Sequence, residues 1–282
     1  MTFEEIKLKI SKQEIDTVLV CMVDMQGRLM GKRFHSEAFL EIAEDETHCC
    51  NYLLATDLEM ATPDGYASTS WSTGYGDYVM KPDLGTLRPV PWIEGTAICL
   101  CDVLDHNTHK PVPFSPREVL KTQISKAEDM GFSSIMATEL EFFLFQGTHD
   151  EIAANGFREL KPISNYNEDY HIFQTSKEEH VMRPIRNFLR DMGIPVEGTK
   201  GEAEAGQEEL NIKYADALST ADHILSQNMA LKKLRTNRVT LQLFCRNGIK
   251  IALALRHTCI NLYLEMVQMF SMTLKRQWVN LK

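Results

Sequence analysis

The sequence predicts an α+β protein with two domains, a small N-terminal domain built around a β-sheet and a larger one of mixed helices and strands. Two β-rich runs, residues 17–23 and 96–103, indicate a sheet in the first part of the chain. A polar, proline-punctuated stretch at residues 106–116 follows and is typical of a linker. Helical and strand-like patterns then alternate without any repeat of fixed period. These observations place a domain boundary close to residue 110.

The composition is that of a globular protein. The chain has 282 residues, 44% of them apolar and 24% charged, enough for one large or two ordinary cores. It has no run of eighteen apolar residues, and its start, MTFEEIKLKISKQEID, has no basic and apolar leader pattern. We therefore expect a cytoplasmic protein with no membrane association. Its seven cysteines are an odd number without C-x-x-C spacing, which favours reduced thiols.

The elements of the first domain can be predicted in order. An amphipathic opening precedes a strand at residues 17–23, a turn at 24–28 and a second strand at 29–34. Residues 51–95 are rich in Gly, Pro and Thr without helical period, so we expect loops and short strands there. Another strand follows at residues 96–103. The first domain is thus predicted to span residues 1–110.

The second domain is predicted to span residues 111–226. Ser115 and Pro116 are typical of an N-cap and a first helical position, and the apolar period behind them predicts a helix up to Gly131. The elements expected after it are a strand at residues 135–145, a helix at 177–192, an extended segment at 198–214 and a helix from about 217.

Two pairs of carboxylates are the candidate functional groups. In the strand ATELEFFLF, Glu139 and Glu141 share a face, because alternate residues of a strand point the same way. Glu202 and Glu209 belong to an acidic run that leads into a second strand. An exposed edge strand and a solvated acidic surface are the alternatives. Like charges on apolar strands are tolerated when a cation lies between them, so the pattern favours Mg²⁺ or Mn²⁺.

Three motifs carry a family resemblance. They are VDMQGRLMGK at residues 23–32, ELEFFLF at 139–145 and PVEGTKGEAEAGQEE at 195–209. In this order, they resemble the glutamine synthetase family, and more closely its bacterial members that form γ-glutamyl amides. The resemblance covers residues from about 15 to 225.

The resemblance implies a fold and an activity. The fold would be a small N-terminal β-grasp domain, the lid of a neighbouring subunit's site in stacked homo-oligomeric rings, followed by an incomplete catalytic α/β domain. The activity would be ATP-dependent ligation of the γ-carboxylate of glutamate to ammonia through γ-glutamyl phosphate, with Mg²⁺ or Mn²⁺ as cofactor. Ligation to a polyamine or alkylamine is the alternative, and an inactive fragment of such an enzyme is another.

The resemblance also implies roles for individual glutamates. Glu141, Glu202 and Glu209 would hold the metal that contacts glutamate, whereas Glu139 would belong to the metal on the ATP phosphates. Glu197 aligns with a nucleotide-contacting position, with an ordinary surface glutamate as the alternative. No catalytic acid or base is assigned.

Residues 227–282 differ from the rest of the chain. Residues 1–226 carry 20 Lys or Arg and 38 Asp or Glu, a net charge of −18, whereas residues 227–282 carry 10 and one, a net charge of +9. The family's later motifs are missing there, yet translation one base out of phase permits T-F-L-P-K and G-S-S-S-H-V-H in family order. We therefore predict an out-of-frame tail after about Ser226 and an inactive 282-residue chain. A basic nucleic-acid-binding tail is the alternative; because its basic residues have no interleaved aromatic platform, we expect no nucleic-acid partner.

Overall fold

The computed structural model describes residues 1–72, 74–233 and 239–243. Within these ranges the chain forms two compact units, one of residues 1–134 and one that begins at Ile135. The mixed α/β architecture predicted from the sequence is confirmed. No helix in the described ranges is both long enough and apolar enough to cross a bilayer.

Unit 1 is built on a five-stranded sheet in the order β2-β1-β5-β4-β3. Strands β1 and β5 are parallel, and the other neighbours are antiparallel. The strands are β1 Thr17–Val23, β2 Leu29–His35, β3 Thr47–Cys50, β4 Asp77–Pro89 and β5 Thr96–Asp105, and the helices are α1 Phe3–Ser11, α2 Ser36–Ile42 and α3 Pro116–Asp129, with a 3₁₀ helix at Asn51–Leu54.

The core of unit 1 explains its sequence pattern. Strand β1 is buried at every position after Thr17, because it lies inside the sheet and both its faces are covered. Ile6 of α1 and Phe39 of α2 join the same buried cluster. A continuous apolar run is therefore what this position in the sheet requires.

The turn between β1 and β2 is held by a buried carboxylate. Asp24 accepts hydrogen bonds from the backbone N–H groups of Gln26 and Arg28 and from the Arg28 side chain. Gly27 has a positive φ of 67°, a conformation that favours glycine. The Asp-Met-Gln-Gly-Arg motif thus has a local structural reason.

The predicted linker and the helix after it belong to unit 1. Val112 donates a backbone hydrogen bond to the carbonyl of Val103 in β5. Arg117 of α3 is buried and forms ion pairs with Asp83 and Asp102. The division between the two compact units falls after Ser134, and the domain boundary near residue 110 stays a prediction. Ser115 occupies the N-cap position as predicted, but its side chain makes no capping hydrogen bond.

Unit 2 contains an antiparallel sheet in the order β7-β8-β6-β9. Its strands are β6 Ile135–Gln146, β7 Val196–Gly201, β8 Gln207–Asp216 and β9 Val239–Leu243, and its helices are α4 His149–Ala154, α5 Ile172–Thr175, α6 Glu179–Asp191 and α7 Ala217–Lys233. Leu140, Phe142 and Leu144 of β6 are buried. The predicted alternation along ELEFFLF is thus confirmed on its apolar side.

Most predicted elements are present; the structure adds the short helices α2, α4 and α5, and two further regions differ from the prediction. Residues 51–95 contain the long strand β4, whereas the sequence predicted only loops and short strands there. Helix α7 continues past Ser226 to Lys233, and β9 lies within the predicted out-of-frame tail. The remainder of that tail, residues 234–238 and 244–282, lies outside the described residues.

Candidate metal centre

Three neighbouring strands align the polar groups of the candidate site in one row. Glu141 of β6 is the cross-strand partner of Glu209 in β8, and Glu209 is the partner of Lys200 in β7. Directly opposite residues on a sheet face have their Cβ atoms about 5 Å apart, so these side chains must interact. Glu202 follows β7, and its backbone N–H donates to the carbonyl of Gln207 at 2.8 Å, which turns it back over the row.

The carboxylates of Glu141, Glu202 and Glu209 converge. Each offers one oxygen, and these three oxygens lie within 4.8 Å of one another. Glu209 is buried, and the other two are half-buried. Such an oxygen-rich, partly enclosed arrangement suits a hard divalent cation that keeps some water ligands.

A lysine ammonium lies among these carboxylates. The Nζ atom of Lys200 is 2.5 Å from Oε2 of Glu202 and 3.1 Å from Oε2 of Glu209, and it also pairs with Asp169 at 3.3 Å. It lies 4.7 Å from the ring centroid of Tyr170 as well. The group therefore already holds a positive charge, so its residues fit a cation.

The pKa values in the group respond to this crowding. The hydrogen bond with Glu209, and then that with Lys200, lowers the pKa of Glu202 to about 2. Burial and the contact with Glu202 raise the pKa of Glu209. Burial alone would lower the pKa of Lys200, but the hydrogen bonds to Glu202 and Glu209 outweigh it and raise that pKa.

Two amides orient the carboxylates. Gln207 donates from Nε2 to Oε2 of Glu141 at 2.8 Å, and Asn211 donates from Nδ2 to Oε1 of Glu209 at 2.8 Å. Sequence reasoning missed both residues, and it missed Lys200. The period of two along β8 could have found the amides, because Gln207, Glu209 and Asn211 share one face.

The other two predicted glutamates lie apart from this group. Glu139 is exposed on the same face of β6 as Glu141, and its cross-strand partner is Asn211. Glu197 is exposed near the start of β7. Among the described residues, the structure thus brings together three of the four glutamates proposed as metal ligands, and Glu139 is not in the group.

A second acidic group, which the sequence did not predict, lies in the same unit. Oxygens of Glu168, Glu178 and Glu208 lie within 4.8 Å of one another, and all three side chains are buried. Burial, reinforced by the negative charges of Glu178 and Glu168, raises the pKa of Glu208 to about 8. Burial and then Glu168 likewise raise the pKa of Glu178.

Comparisons with known proteins identify the family. Residues 113–243 match the glutamine synthetase catalytic domain. The chain is 43% identical over 220 residues to gamma-glutamylethanolamide synthetase GlnA4 of Streptomyces coelicolor, covering 78% of this chain and 47% of that protein. The chain belongs to the glutamine synthetase family.

Further comparisons agree with this membership. Over 226 residues, this glutamine synthetase family member is 37% identical to glutamate–isopropylamine ligase of a Pseudomonas species, covering 80% of this chain and 49% of the ligase. The chain thus spans about half the length of the curated relatives it matches. A solved GmaS/ADP complex shares the fold with a TM-score of 0.65 and 21% identity, covering 88% of this chain and 59% of the GmaS chain.

Proposed function

We propose that this protein is an ATP-dependent ligase that joins the γ-carboxylate of glutamate to ammonia or a small primary amine. The observation that carries the proposal is the convergence of Glu141, Glu202 and Glu209 within 4.8 Å on strands that match the glutamine synthetase catalytic domain. These are the residues at which the family resemblance expects a metal.

In this proposal the three glutamates hold Mg²⁺ or Mn²⁺. When bound, such an ion supplies Lewis-acid stabilisation of the charge that develops on phosphate and carboxylate oxygens. Gln207 and Asn211 fix the direction of two of the carboxylates through the hydrogen bonds at 2.8 Å. Lys200 has to leave the carboxylates for the ion to enter, because its ammonium occupies two of the three.

The relatives favour an amine larger than ammonia as the acceptor. The two relatives named for ethanolamide and isopropylamine products are 43% and 37% identical to this chain. Glutamine synthetases are 27–34% identical to this chain, and those above 30% match over only 52–57% of it. Glutamine synthesis, which the sequence first suggested, remains the second candidate for the same site.

The remaining family expectations are part of the proposal. Glu139 would serve the ATP-side metal, Glu197 would contact the nucleotide, and unit 1 would be the β-grasp lid in a cytoplasmic assembly of stacked rings. The order of the unit 1 sheet and the exposure of Glu139 and Glu197 are consistent with these roles. Assay of nucleotide binding by Glu139→Gln and Glu197→Gln variants would test the two residues separately.

The proposal includes the reading frame. If residues after about Ser226 are out of frame, the 282-residue chain lacks the family's later ligands and should release no phosphate from ATP above background. The chain with its frame restored and continued to the family's natural end should be active. Gln227 supports a change at this point, since its side chain is fully buried and neither polar atom has a partner among the described residues.

One experiment tests the function. Phosphate release from ATP is measured with glutamate plus ammonia, ethanolamine or isopropylamine, for the 282-residue chain and for the frame-restored chain. We expect release by the restored chain only, dependent on both glutamate and amine, and about 10²-fold or more slower in a Glu141→Gln variant. Glu204→Gln, an exposed glutamate near Glu202, is the matched control and should retain activity. Release that needs no glutamate would contradict the proposal.

A further inference from the structure

We propose a second divalent-cation site in unit 2, formed by Glu168, Glu178 and Glu208 on the face of the sheet opposite the Glu141 group. Glu208 and Glu209 are consecutive in β8, so their side chains point to opposite faces. The two groups therefore lie on the two sides of one strand. This site is additional to the one that the proposed ligase activity uses, and it does not depend on that activity.

The geometry of the three carboxylates fits one shared ion. Ligand oxygens 2.3–2.6 Å from a cation such as Ca²⁺ can be at most about 5 Å apart, and the three oxygens here lie within 4.8 Å of one another. Glu168 precedes helix α5, Glu178 is the N-cap residue of α6, and Glu208 belongs to β8. Three separate elements thus deliver their carboxylates to one point.

Four of the six carboxylate oxygens are buried without a hydrogen-bond partner among the described residues. Both oxygens of Glu168 are buried and unsatisfied, as are Oε2 of Glu178 and Oε1 of Glu208. The exposed fractions of the three residues are 0%, 1% and 1%. Leaving carboxylates buried and unpaired is energetically unfavourable, and three like charges repel each other in addition. A bound cation removes both costs.

The nearby side-chain cations are already engaged. Arg186 is near enough to lower the pKa of Glu208, but its guanidinium binds both oxygens of Glu179, at 2.8 and 2.6 Å, and the hydroxyl of Thr199. Lys177 donates to Oε1 of Gln174 at 2.9 Å. Neither residue forms an ion pair with the three glutamates in the described structure. The negative charge of the three glutamates is therefore available to a cation from solution.

The backbone around the site is held in place. A Cβ added at Gly201 in β7 would lie 2.5 Å from the carbonyl oxygen of Glu168, which shows how closely that segment approaches the sheet. His171 donates a backbone hydrogen bond to the same carbonyl at 2.8 Å. The Glu178 side chain makes no capping hydrogen bond to its own helix. The ligand set is thus preorganised, and the Glu178 carboxylate is available to bind an ion.

A Mn²⁺ titration followed by electron paramagnetic resonance tests the site on the 282-residue chain. We expect two bound Mn²⁺ ions per chain, one after Glu168→Gln, one after Glu141→Gln, and none in the double variant. Glu204→Gln is the control and should still bind two. If the Glu141 site failed to bind, the ion lost on Glu168→Gln would still be measured, so the two proposals fail separately. An unchanged number of ions in Glu168→Gln would overturn this proposal.

Thermal unfolding provides a second readout that does not depend on counting ions. In EDTA, Glu168→Gln should raise the melting temperature, because it removes a buried charge. In Mn²⁺, the wild-type chain should gain more than Glu168→Gln does, because only wild type fills the site. If the melting temperature of Glu168→Gln exceeded that of wild type by the same amount in EDTA and in Mn²⁺, protons rather than a metal would stabilise the group. That result would overturn the proposal.

Discussion

At the scale of single residues, the charge of Lys200 bears directly on the proposed metal site. Its ammonium binds Glu202 and Glu209, two of the three carboxylates that a metal would use. An ion entering the site must break these pairs. In the proposed metal site, the lysine would therefore lower the affinity for a metal ion below that of the carboxylates alone.

We predict that Lys200→Met tightens Mn²⁺ binding at the Glu141 site by roughly tenfold, about 1.4 kcal/mol, because a competing cation is removed. Isothermal titration with Mn²⁺ measures the change. Lys213→Met, at an exposed position of β8, is the control and should have little effect. Weaker binding in Lys200→Met would mean that the lysine positions the carboxylates instead of competing for them.

The cysteines of unit 1 should differ sharply in reactivity. Burial raises the pKa of Cys21, Cys49 and Cys99 to about 12, while Cys50 is exposed. A rise of three units lowers the thiolate fraction about a thousandfold. Iodoacetamide at pH 8 should therefore label Cys50 before Cys21, Cys49 and Cys99, as read by peptide mass spectrometry. Equal labelling of Cys99 in the native protein would contradict the burial of β5.

At the scale of secondary-structure elements, strand β7 connects the two acidic groups. It carries Lys200 of one group, and it ends at Gly201, against which the backbone of Glu168 lies. Strand β7 thus contacts the acidic groups on both faces of the sheet. Close backbone approach, rather than a turn, explains the glycine at the end of this strand.

We predict that Gly201→Ala lowers the free energy of unfolding of unit 2 by about 1–3 kcal/mol, because the new methyl group meets a backbone oxygen that cannot move freely. Gly198→Ala, in the same strand with nothing within 4 Å of the added Cβ, is the matched control and should change it by about 0.5 kcal/mol or less. Hydrogen exchange of residues 196–216 measures both. Similar effects in the two variants would contradict the predicted clash.

Helix α7 contains a buried glutamine whose replacement should change stability. Gln227 is fully buried with an unsatisfied amide, so Gln227→Leu replaces a desolvated polar group by an apolar one of similar size. We expect the free energy of unfolding to rise by about 1–3 kcal/mol, as seen in urea titrations followed by far-ultraviolet circular dichroism. A loss of stability would show that the amide has a partner in the folded chain.

At the scale of the whole molecule, the domain boundary predicted near residue 110 and the division between the compact units after Ser134 are two separate positions in the chain. Phe114 lies in the predicted linker and Phe132 lies just before the division, and both are exposed. The linker is hydrogen-bonded to β5 through Val112 and Val103. The linker at residues 106–116 was predicted from composition, whereas the division after Ser134 follows from contacts in the folded chain.

Limited proteolysis with chymotrypsin distinguishes the two boundaries. We predict that cleavage after Phe132 precedes cleavage after Phe114, because proteases need a locally unfolded backbone and the linker is bound to the sheet. The order of cuts is read from the masses of early fragments. First cleavage after Phe114 would favour the boundary near residue 110 instead.

The sequence by itself determined the local structure and the family of this protein. The apolar run of β1, the alternation of ELEFFLF and the spacing of Glu202 and Glu209 follow from periodicities that the chain carries locally. The motifs around them were enough to indicate glutamine synthetase chemistry and to predict that Glu139, Glu141, Glu202 and Glu209 converge. Among the described residues, the structure brings together the last three of these and not Glu139. The charge break after residue 226 was likewise visible in the sequence alone.

Only the tertiary structure decided which groups meet across elements. Strand register brought Lys200 opposite Glu209, and chain packing gathered Glu168, Glu178 and Glu208 from a loop, a helix start and a strand. Local periodicity in the sequence does not predict such contacts, because residues forty positions apart are brought together by sheet order and helix packing. For the same reason the burial of Arg117 with Asp83 and Asp102, which ties α3 to the first unit, could not be read from composition.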